Sequence, residues 1–242
     1  MVELNFNSKY DNLIEMEKIL QIISQTPIFQ GLPEEDLKRI RRIAVDKFYN
    51  KDQIVFSEGD DGTGFYVVAA GKVKIYKVSL EGKEQILHIY GPGNPFGEVP
   101  VFSGEQFPAN AQTLLKSHLL FFPRTAFTEL IAKNPSLCLN MLAVLSMRLR
   151  QFTVQVENLS LKEVPGRLAA YLLYLAQEQE AEDTVSLPIS KGQLASLLGT
   201  IPETLSRILT KMSNSGLIDV SRGEIRLLDY DGLEDLSETG KL

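Results

Sequence analysis

The stretch Ser136–Leu161 reads SLCLNMLAVLSMRLRQFTVQVENLSL and contains neither glycine nor proline. Its apolar residues recur at alternating gaps of four and three positions, the a/d pattern of a heptad seam. A helix of this length extends about 39 Å. We predict a dimerisation helix at residues 135–161 that pairs with a second copy in a parallel coiled coil. The alternative is a single amphipathic helix packed on its own domain. The seam consists of Cys138, Leu142, Leu145, Leu149, Phe152, Val156 and Leu159.

Length and composition bound the remaining possibilities. The chain has 242 residues, 44% of them hydrophobic and 23% charged, which is typical of one or two ordinary globular domains. Its net charge of −6 gives no overall bias toward nucleic acid. The single cysteine excludes an intrachain disulfide and a cysteine-ligated iron–sulfur cluster within one chain. With no signal peptide and no long apolar run, we expect a cytoplasmic protein without a membrane partner.

The segment before the long helix has a different pattern. Two short helical patterns, one from Leu13 to Ile23 and one after Pro33, precede a region rich in β-formers and glycine-centred turns. Such short strands at close turn spacing indicate an antiparallel sandwich or roll. The predicted strands are Ile54–Phe56, Phe65–Ala69, Val73–Val78, Gln85–Tyr90 and Leu119–Phe122.

Three segments of this region carry a family resemblance. The run Phe65–Val73, the turn Glu81–Glu84 and the segment Gly93–Glu98 resemble the cyclic-nucleotide-type β-roll of the CRP/FNR regulators. The likeness extends over nearly the whole chain. It implies an α+β fold with an effector-sensing roll and its N-terminal helices at 1–134, the dimerisation helix, and a C-terminal winged helix-turn-helix domain at 162–242.

The effector site departs from the cAMP-binding pattern. In those relatives a Gly-Glu pair is followed about ten residues later by Arg-Ser or Arg-Thr; here Gly97-Glu98 is present, but Pro108-Ala109 replaces the second pair. Pro108 removes an amide donor, and a buried phosphodiester without a cationic partner is poorly compensated. We predict that cAMP does not bind. The expected pocket residues are Phe96, Gly97, Glu98, Val101, Phe102, Phe107, Pro108, Ala109, Leu137 and Met141.

The run Pro108–Gln112 and the segment Glu203–Arg207 resemble the Dnr-like branch, which lacks the cysteines of FNR and is associated with haem and nitrosative stress. The resemblance makes haem a possible cofactor. The candidate axial ligands are His88 on a strand and His118 in a predicted turn, with Cys138 and Met141 as softer alternatives. For each histidine, an ordinary surface or hydrogen-bonded role is the competing interpretation, and an apolar crevice is equally compatible with a packed core.

The C-terminal region carries the most specific local pattern. We predict a hinge at Val164–Gly166 followed by a helix at Arg167–Gln179. Ser190 is a typical N-cap for the next helix, and Gly199 ends it. Thr200 and Glu203 then fit a capping box for a helix that runs to about Asn214. Two short strands follow as a wing, at Leu217–Val220 and Glu224–Leu228. This is helix-turn-helix spacing.

One face of the second helix is suited to reading DNA. Glu203, Ser206, Arg207 and Thr210 lie at i, i+3, i+4 and i+7. Arg can bind guanine bidentately and Glu can accept from cytosine, although a solvated Glu–Arg face would look alike. The segment ETLSR resembles the FNR-type motif, which implies a TTGAT-like half-site. Expected phosphate contacts are Lys191, Thr200, Lys211 and Arg222. From residue 162 onward, the chain has eight Lys or Arg and thirteen Asp or Glu. This region therefore has less positive charge than a DNA-binding domain usually carries.

These patterns together predict a homodimeric transcription regulator, either an activator or a repressor, gated by a small-molecule or gas effector, that binds double-stranded DNA and RNA polymerase. A runner-up is a cyclic-nucleotide- or metabolite-responsive regulator with CRP-like half-sites. An enzyme is disfavoured because no Ser/His/Asp set, metal-ligand cluster or phosphate loop is apparent. A cyclic-nucleotide module without DNA binding is disfavoured by the helix-turn-helix.

Overall fold

A computed structural model describes residues 17–221 and 223–240. The chain forms two compact units. The first contains the residues up to 77 together with residues 87–148, and the second contains residues 78–86 together with residues 149–242. The long helix predicted from the heptad pattern is present at Pro135–Leu161, and the division between the units falls within it.

The helices of the first unit precede and follow its strands. Helix α1 occupies residues 17–25, so the part of the predicted N-terminal helix before residue 17 lies outside the described residues. A short 3-10 helix follows at Pro27–Phe29. The others are α2 at Glu34–Ile43, α3 at Val99–Ser103, α4 at Arg124–Lys133 and the first part of α5 at Pro135–Leu161.

Two antiparallel four-stranded sheets form the roll, as predicted. One sheet has the order β1-β8-β3-β6 and the other β2-β7-β4-β5. The strands are β1 at Val45–Tyr49, β2 at Ile54–Phe56, β3 at Gly64–Ala70, β4 at Val73–Val78, β5 at Glu84–Tyr90, β6 at Pro95–Phe96, β7 at Asn110–Thr113 and β8 at Ser117–Pro123.

Three of these strands were not expected from the sequence. Strands β1, β6 and β7 have little of the apolar alternation that marks a strand, and β7 reads Asn-Ala-Gln-Thr. Each is held by pairing with a distant strand, as in the register of Ile75 with Ala111. Tertiary pairing outweighs intrinsic strand propensity here.

The first unit has two apolar clusters. One joins the helices to the first sheet, where Phe65 packs against Phe122 and Phe127 with ring centroids 5.0 and 4.6 Å apart. The other lies between the sheets, where Phe56 stacks on Phe107 at 3.7 Å. Both are filled by large aromatic rings in van der Waals contact.

The second unit contains a three-stranded sheet of order β10-β11-β9 with helices around it. Its β10–β11 hairpin confirms the predicted wing. Its further elements are α6 at Val164–Glu178, β9 at Thr184–Ser186, α7 at Lys191–Leu197, α8 at Pro202–Asn214, β10 at Ile218–Ser221, β11 at Glu224–Leu227 and α9 at Tyr230–Thr239.

The predicted hinge at Val164–Gly166 is wrong, because these residues form the first turn of α6. Pro165 is tolerated there since the first amides of a helix have no intrahelical partner. Gly166 is buried, and a Cβ at that position would come within 2.7 Å of Gly240 Cα. The glycine therefore serves close packing against the end of α9 rather than flexibility.

Within the part of the chain that the structure describes, no single helix has both the length and the apolar composition that a membrane span requires. Helices α4 and α5 satisfy this criterion only when joined across a bend of 114°.

Candidate DNA-reading face and effector site

The first helix of the helix-turn-helix begins at a complete capping box. Ser190 Oγ accepts from the Gln193 amide at 3.2 Å, and the Gln193 side chain accepts from the Ser190 amide at 3.0 Å. Two amides that a helix start would leave unpaired are thereby satisfied. The N-cap predicted at Ser190 is confirmed.

The turn after α7 is a Schellman-type ending. Gly199 has a φ of +67°, which an L-residue rarely adopts. Its amide donates to the Ser196 carbonyl at 3.3 Å, and the Thr200 amide donates to the Ala195 carbonyl at 2.9 Å. Thr200 thus belongs to the end of α7.

The predicted N-cap at Thr200 is therefore wrong, and so is the capping-box role of Glu203. The N-cap of α8 is Ile201, whose side chain makes no cap hydrogen bond, and Pro202 opens the helix. Proline there fixes a helical φ without needing a donor. The first amides of α8 lack a capping side chain, so the helix start is suited to a phosphate.

The two sides of α8 differ sharply in burial. Leu205, Ile208, Leu209 and Met212 are buried. The predicted base-reading residues Glu203, Ser206, Arg207 and Thr210 are all exposed on the other side. Arg207 Nε donates to the Glu203 backbone carbonyl at 3.4 Å. The predicted reading side chains therefore share a solvent-facing surface on a helix whose inner side is fixed by packing.

The predicted phosphate contacts have mixed outcomes. Lys191 opens α7 and Lys211 lies in the last turn of α8, and both are exposed. Thr200 is half-buried in the turn between the helices. Arg222 lies outside the described residues, so its predicted contact stays a prediction.

Helix α5 presents its predicted seam to solvent. Leu137, Met141 and Val144 are buried against the roll. Six of the seven seam residues face away from this stripe and are exposed, including Leu142, which has 60% of its surface free. The exposed seam residues are Cys138, Leu142, Leu145, Leu149, Phe152 and Val156, and Leu159 is half-buried.

The predicted pocket residues do not line one common cavity. Phe96 and Phe107 belong to the cluster between the sheets. Val101, Leu137 and Met141 belong to the cluster against the helices. Strand β3 contributes residues to both clusters with alternate side chains, so the two sets face opposite sides of one sheet.

Two of the predicted pocket residues, Phe102 and Pro108, lie at the surface. Phe102, predicted as a wall, has 47% of its surface exposed on α3. Pro108 is exposed, whereas Ala109 is buried next to it. In the bend before β7, Ala109 is turned inward and Pro108 outward, and neither position supplies a positive charge.

Glu98 is held by a residue that the sequence reasoning overlooked. Its carboxylate and the Pro95 carbonyl both accept from the guanidinium of Arg148 on α5, and both side chains of the ion pair are largely buried. The guanidinium also lies 5.1 Å from the centroid of the Tyr90 ring. A signal existed, because Arg148 continues the i, i+3, i+4 stripe of Leu137, Met141 and Val144.

The Phe107–Ala109 segment, where a phosphate would be expected, is hydrogen-bonded to the turn after β2. The Phe107 amide donates to the Asp60 carbonyl at 3.0 Å, and the Gly59 amide donates to the Phe107 carbonyl at 2.9 Å. Lys77 donates to the Pro108 carbonyl at 3.0 Å and pairs with Glu58. The main chain on either side of Phe107 is thus already engaged.

The two histidines differ in environment. His118 lies on β8 and not in a turn as predicted; its Nε2 is 2.8 Å from Asp46 Oδ1, and its ring stacks on Phe48. His88 lies on β5, as predicted, with its ring 4.3 Å from that of Tyr90. Burial, and secondly the charge of Arg148, lower the pKa of His88 to about 4, so the imidazole is neutral at physiological pH.

Among the described residues, no group of three or more His, Cys, Asp or Glu side chains is placed to hold a metal ion. Cys138 and Met141 lie on different sides of α5, one exposed and one buried.

Comparison with known proteins agrees with both halves of this description. The cyclic nucleotide-binding domain family matches residues 46–134, and the Crp-like helix-turn-helix domain family matches residues 166–236. The cyclic AMP receptor protein of Thermus thermophilus is 30% identical over 212 residues, which cover 88% of this chain and 97% of the relative. The probable transcriptional regulator flp of Lacticaseibacillus casei is also 30% identical, over 87% and 95% of the two chains.

A similarity of fold extends to solved structures. FixK2 from Bradyrhizobium japonicum superimposes with a TM-score of 0.71 at 24% identity, over 80% of this chain and 97% of its own. At that identity the likeness concerns the fold alone.

Proposed function

The chain is a member of the CRP/FNR family of transcription regulators, and from this premise we propose that it is a homodimer that reads a palindrome of TTGAT-like half-sites. Members of the family bind DNA and act as dimers, and the relatives are regulators rather than enzymes. The observation that carries the proposal is the exposed α8 face with Glu203, Ser206 and Arg207 above a buried inner side. Two such helices would enter major grooves about one DNA turn apart.

Selection from a random DNA library tests the half-site. The purified protein is used to enrich bound duplexes, and binding to the enriched sequences is then checked by gel shift. Enrichment of a TTGAT-containing palindrome supports the proposal. Enrichment of CRP-like half-sites would replace it with the second candidate below, and failure to enrich any palindrome would contradict both.

The dimer is proposed to form along the exposed α5 seam. Apolar residues such as Leu142 and Leu149 are 60% and 70% exposed in the single chain, and a contiguous apolar stripe of this length is unfavourable in water. Substituting Leu149→Asp should give a monomer in light scattering at micromolar concentration and abolish operator binding. A wild-type chain that is monomeric at that concentration would contradict the proposal directly.

The effector is proposed to be something other than cAMP. Pro108 occupies the position of the phosphate-binding arginine, the main chain at Phe107 is hydrogen-bonded within the roll, and Glu98 pairs with Arg148. A phosphodiester would have to break these bonds without gaining a guanidinium at position 108. Titration calorimetry with cAMP should show no heat of binding at micromolar concentrations, and measurable binding would refute this part.

A second candidate is a cyclic-nucleotide- or metabolite-responsive regulator with CRP-like half-sites. It is favoured by the 30% identity to a protein named as a cyclic AMP receptor. The same calorimetry and library selection separate the two candidates. This candidate requires both a measurable heat of nucleotide binding and the enrichment of CRP-like half-sites.

Haem does not fit the residues as they are arranged. The expected walls pack on one another, with Phe56 and Phe107 in stacking contact, and His118 is already bound to Asp46. His88 is neutral but lies against Tyr90 and near the Arg148 cation. The proposal of nitric-oxide or nitrosative-stress sensing therefore rests on the resemblance to the Dnr-like branch. An absorption spectrum after hemin reconstitution tests it, since a Soret band that survives gel filtration would show a haem site.

The proposed mechanism is a population shift. An effector could bind more tightly to one packing of the roll and of the roll-facing stripe of α5. Its binding would then favour one relative orientation of the two helix-turn-helix domains in the dimer. Activation through contact with RNA polymerase in the cytoplasm completes the proposal. In vitro transcription from the selected operator measures it, with the Arg207→Ala protein as the inactive control.

A further inference from the structure

The tip of the β4–β5 connection, residues 78–86, is a closed turn in the second unit. The Ser79 amide donates to the Lys83 carbonyl at 2.9 Å, and the Gly82 amide donates to the Ser79 carbonyl at 2.9 Å. Ser79 Oγ also accepts from the Lys83 amide at 3.1 Å. Gly82 has a φ of +80°, which lets the chain reverse without strain. Hydrogen bonds within the hairpin therefore fix its shape independently of its contacts with other elements.

A buried serine of α7 is bound to this hairpin. The Ser196 hydroxyl donates to the Glu84 carbonyl at 2.7 Å, and only 8% of the Ser196 surface is exposed. A serine inside a helix usually donates to the carbonyl one turn earlier in its own helix. Here the hydroxyl binds another segment, and a buried hydroxyl without an acceptor would be costly.

Gln85 of the hairpin caps the end of the same helix. Its Nε2 donates to the Leu197 carbonyl at 3.3 Å, in the last turn of α7, where carbonyls have no intrahelical partner. A Cβ added to Gly199 would lie 3.2 Å from Gln85 Oε1 and 3.1 Å from Leu159 Cδ2. The hairpin thus contacts the turn that separates α7 from the recognition helix.

We propose that Ser196 and Gln85 are positioning residues for DNA reading: through them the 78–86 hairpin holds the turn at Gly199, and thereby the angle at which α8 presents Glu203 and Arg207. Neither residue lies on the reading face. Base-edge hydrogen bonds depend on this angle, whereas phosphate contacts tolerate small rotations. Loss of the two hairpin bonds should therefore reduce sequence discrimination selectively.

The test uses the full-length protein and an operator that wild type selects from a random library, so that it holds whichever half-site is correct. Fluorescence anisotropy gives Kd for that operator and for an unrelated duplex. Ser196→Ala and Gln85→Ala should each weaken operator binding about fivefold, the effect of one neutral hydrogen bond, and the double variant more, with non-specific binding within about twofold of wild type. Ser237→Ala is the matched control, because its hydroxyl donates within α9.

Two further measurements separate positioning from general stability. Ser196→Thr, which keeps the hydroxyl, should restore discrimination. Amide hydrogen exchange of residues 198–204, which needs no DNA, should accelerate in the double variant while the thermal midpoint of the protein changes little. An unchanged ratio of operator to non-specific affinity, a parallel loss of both with a lowered midpoint, or a tighter operator complex would each overturn the proposal.

Discussion

In the roll, the polar groups that lie where a ligand would be expected bind one another, whereas on α8 the polar side chains face solvent. Glu98 is buried against Arg148, and the main chain at Phe107 is bonded to the Gly59–Asp60 turn. Glu203, Ser206 and Arg207 are exposed on a helix whose other side is buried. The predicted reading face could therefore bind DNA without breaking an internal ion pair. A ligand in the roll would have to break existing hydrogen bonds, so its affinity would reflect only the difference between the bonds gained and those lost.

The largest effect should come from breaking the internal pair of the roll. Arg148→Ala leaves the Glu98 carboxylate buried without its cation, which typically costs about 3–5 kcal/mol. Thermal denaturation followed by circular dichroism measures the loss. Combining Arg148→Met with Glu98→Leu removes both charges and should recover much of the stability. A single variant as stable as wild type would mean that the pair is solvated and that the roll is not closed in the way described.

On the reading face, one guanidinium should decide specificity. Arg207→Ala should lower operator affinity by about 1–3 kcal/mol per half-site and leave non-specific binding nearly unchanged. Lys211→Ala, at an expected phosphate contact, should instead weaken all sequences alike and reduce the salt dependence of binding. Competition gel shifts at several salt concentrations measure both. Equal operator affinity for wild type and Arg207→Ala would remove the base-reading assignment.

Close packing, rather than buried charge, is expected to limit the stability of the second unit. Gly166→Ala places a Cβ within 2.7 Å of Gly240 Cα and 2.9 Å of the Leu236 carbonyl, and should destabilise that unit by about 1–3 kcal/mol. Gly192→Ala is the control, because its nearest new contact, Ser190 Oγ, is 3.9 Å away. This change should stabilise α7 by about 0.5–1 kcal/mol. Chemical denaturation that gives both variants the same sign of change would contradict the packing argument.

At neutral pH, the smallest expected effect is that of His88, because its contribution to stability changes only as the pH falls. Because burial lowers the pKa of His88 to about 4 from its ordinary 6.5, the unfolded chain binds the extra proton first. Stability contributed by this residue is therefore complete above pH 6.5 and is lost as the pH falls toward 4. His88→Gln should flatten that part of the stability profile. Denaturation midpoints between pH 4 and 7 measure it, and parallel profiles for the two proteins would show that His88 is solvated in the folded state.

Features that depend only on residues close to one another in the sequence were predictable. The heptad seam identified the long helix and its exposed side, Ser190 identified the N-cap of α7, and Gly199 identified the turn, although the capping box that Ser190 forms with Gln193 was not predicted. Each depends on a local period or on hydrogen bonds that span one helical turn, so the sequence alone contains the necessary distances.

Other features depended on partners that are distant in the chain. Arg148 and Glu98 are fifty positions apart, and Ser196 and Glu84 are 112 apart. The proposed N-cap at Thr200 failed because its amide turns back to Ala195, and Phe102 lies at the surface because α3 turns it away from the core. Local sequence determined the long helices, the turns and the strands with a regular apolar pattern, since caps and periodicity act over a few residues, whereas β1, β6 and β7 depend on pairing with distant strands. Which buried charges meet, and which aromatic rings fill the roll, was decided only by the folded chain, because packing selects among many residues that are equally apolar in the sequence.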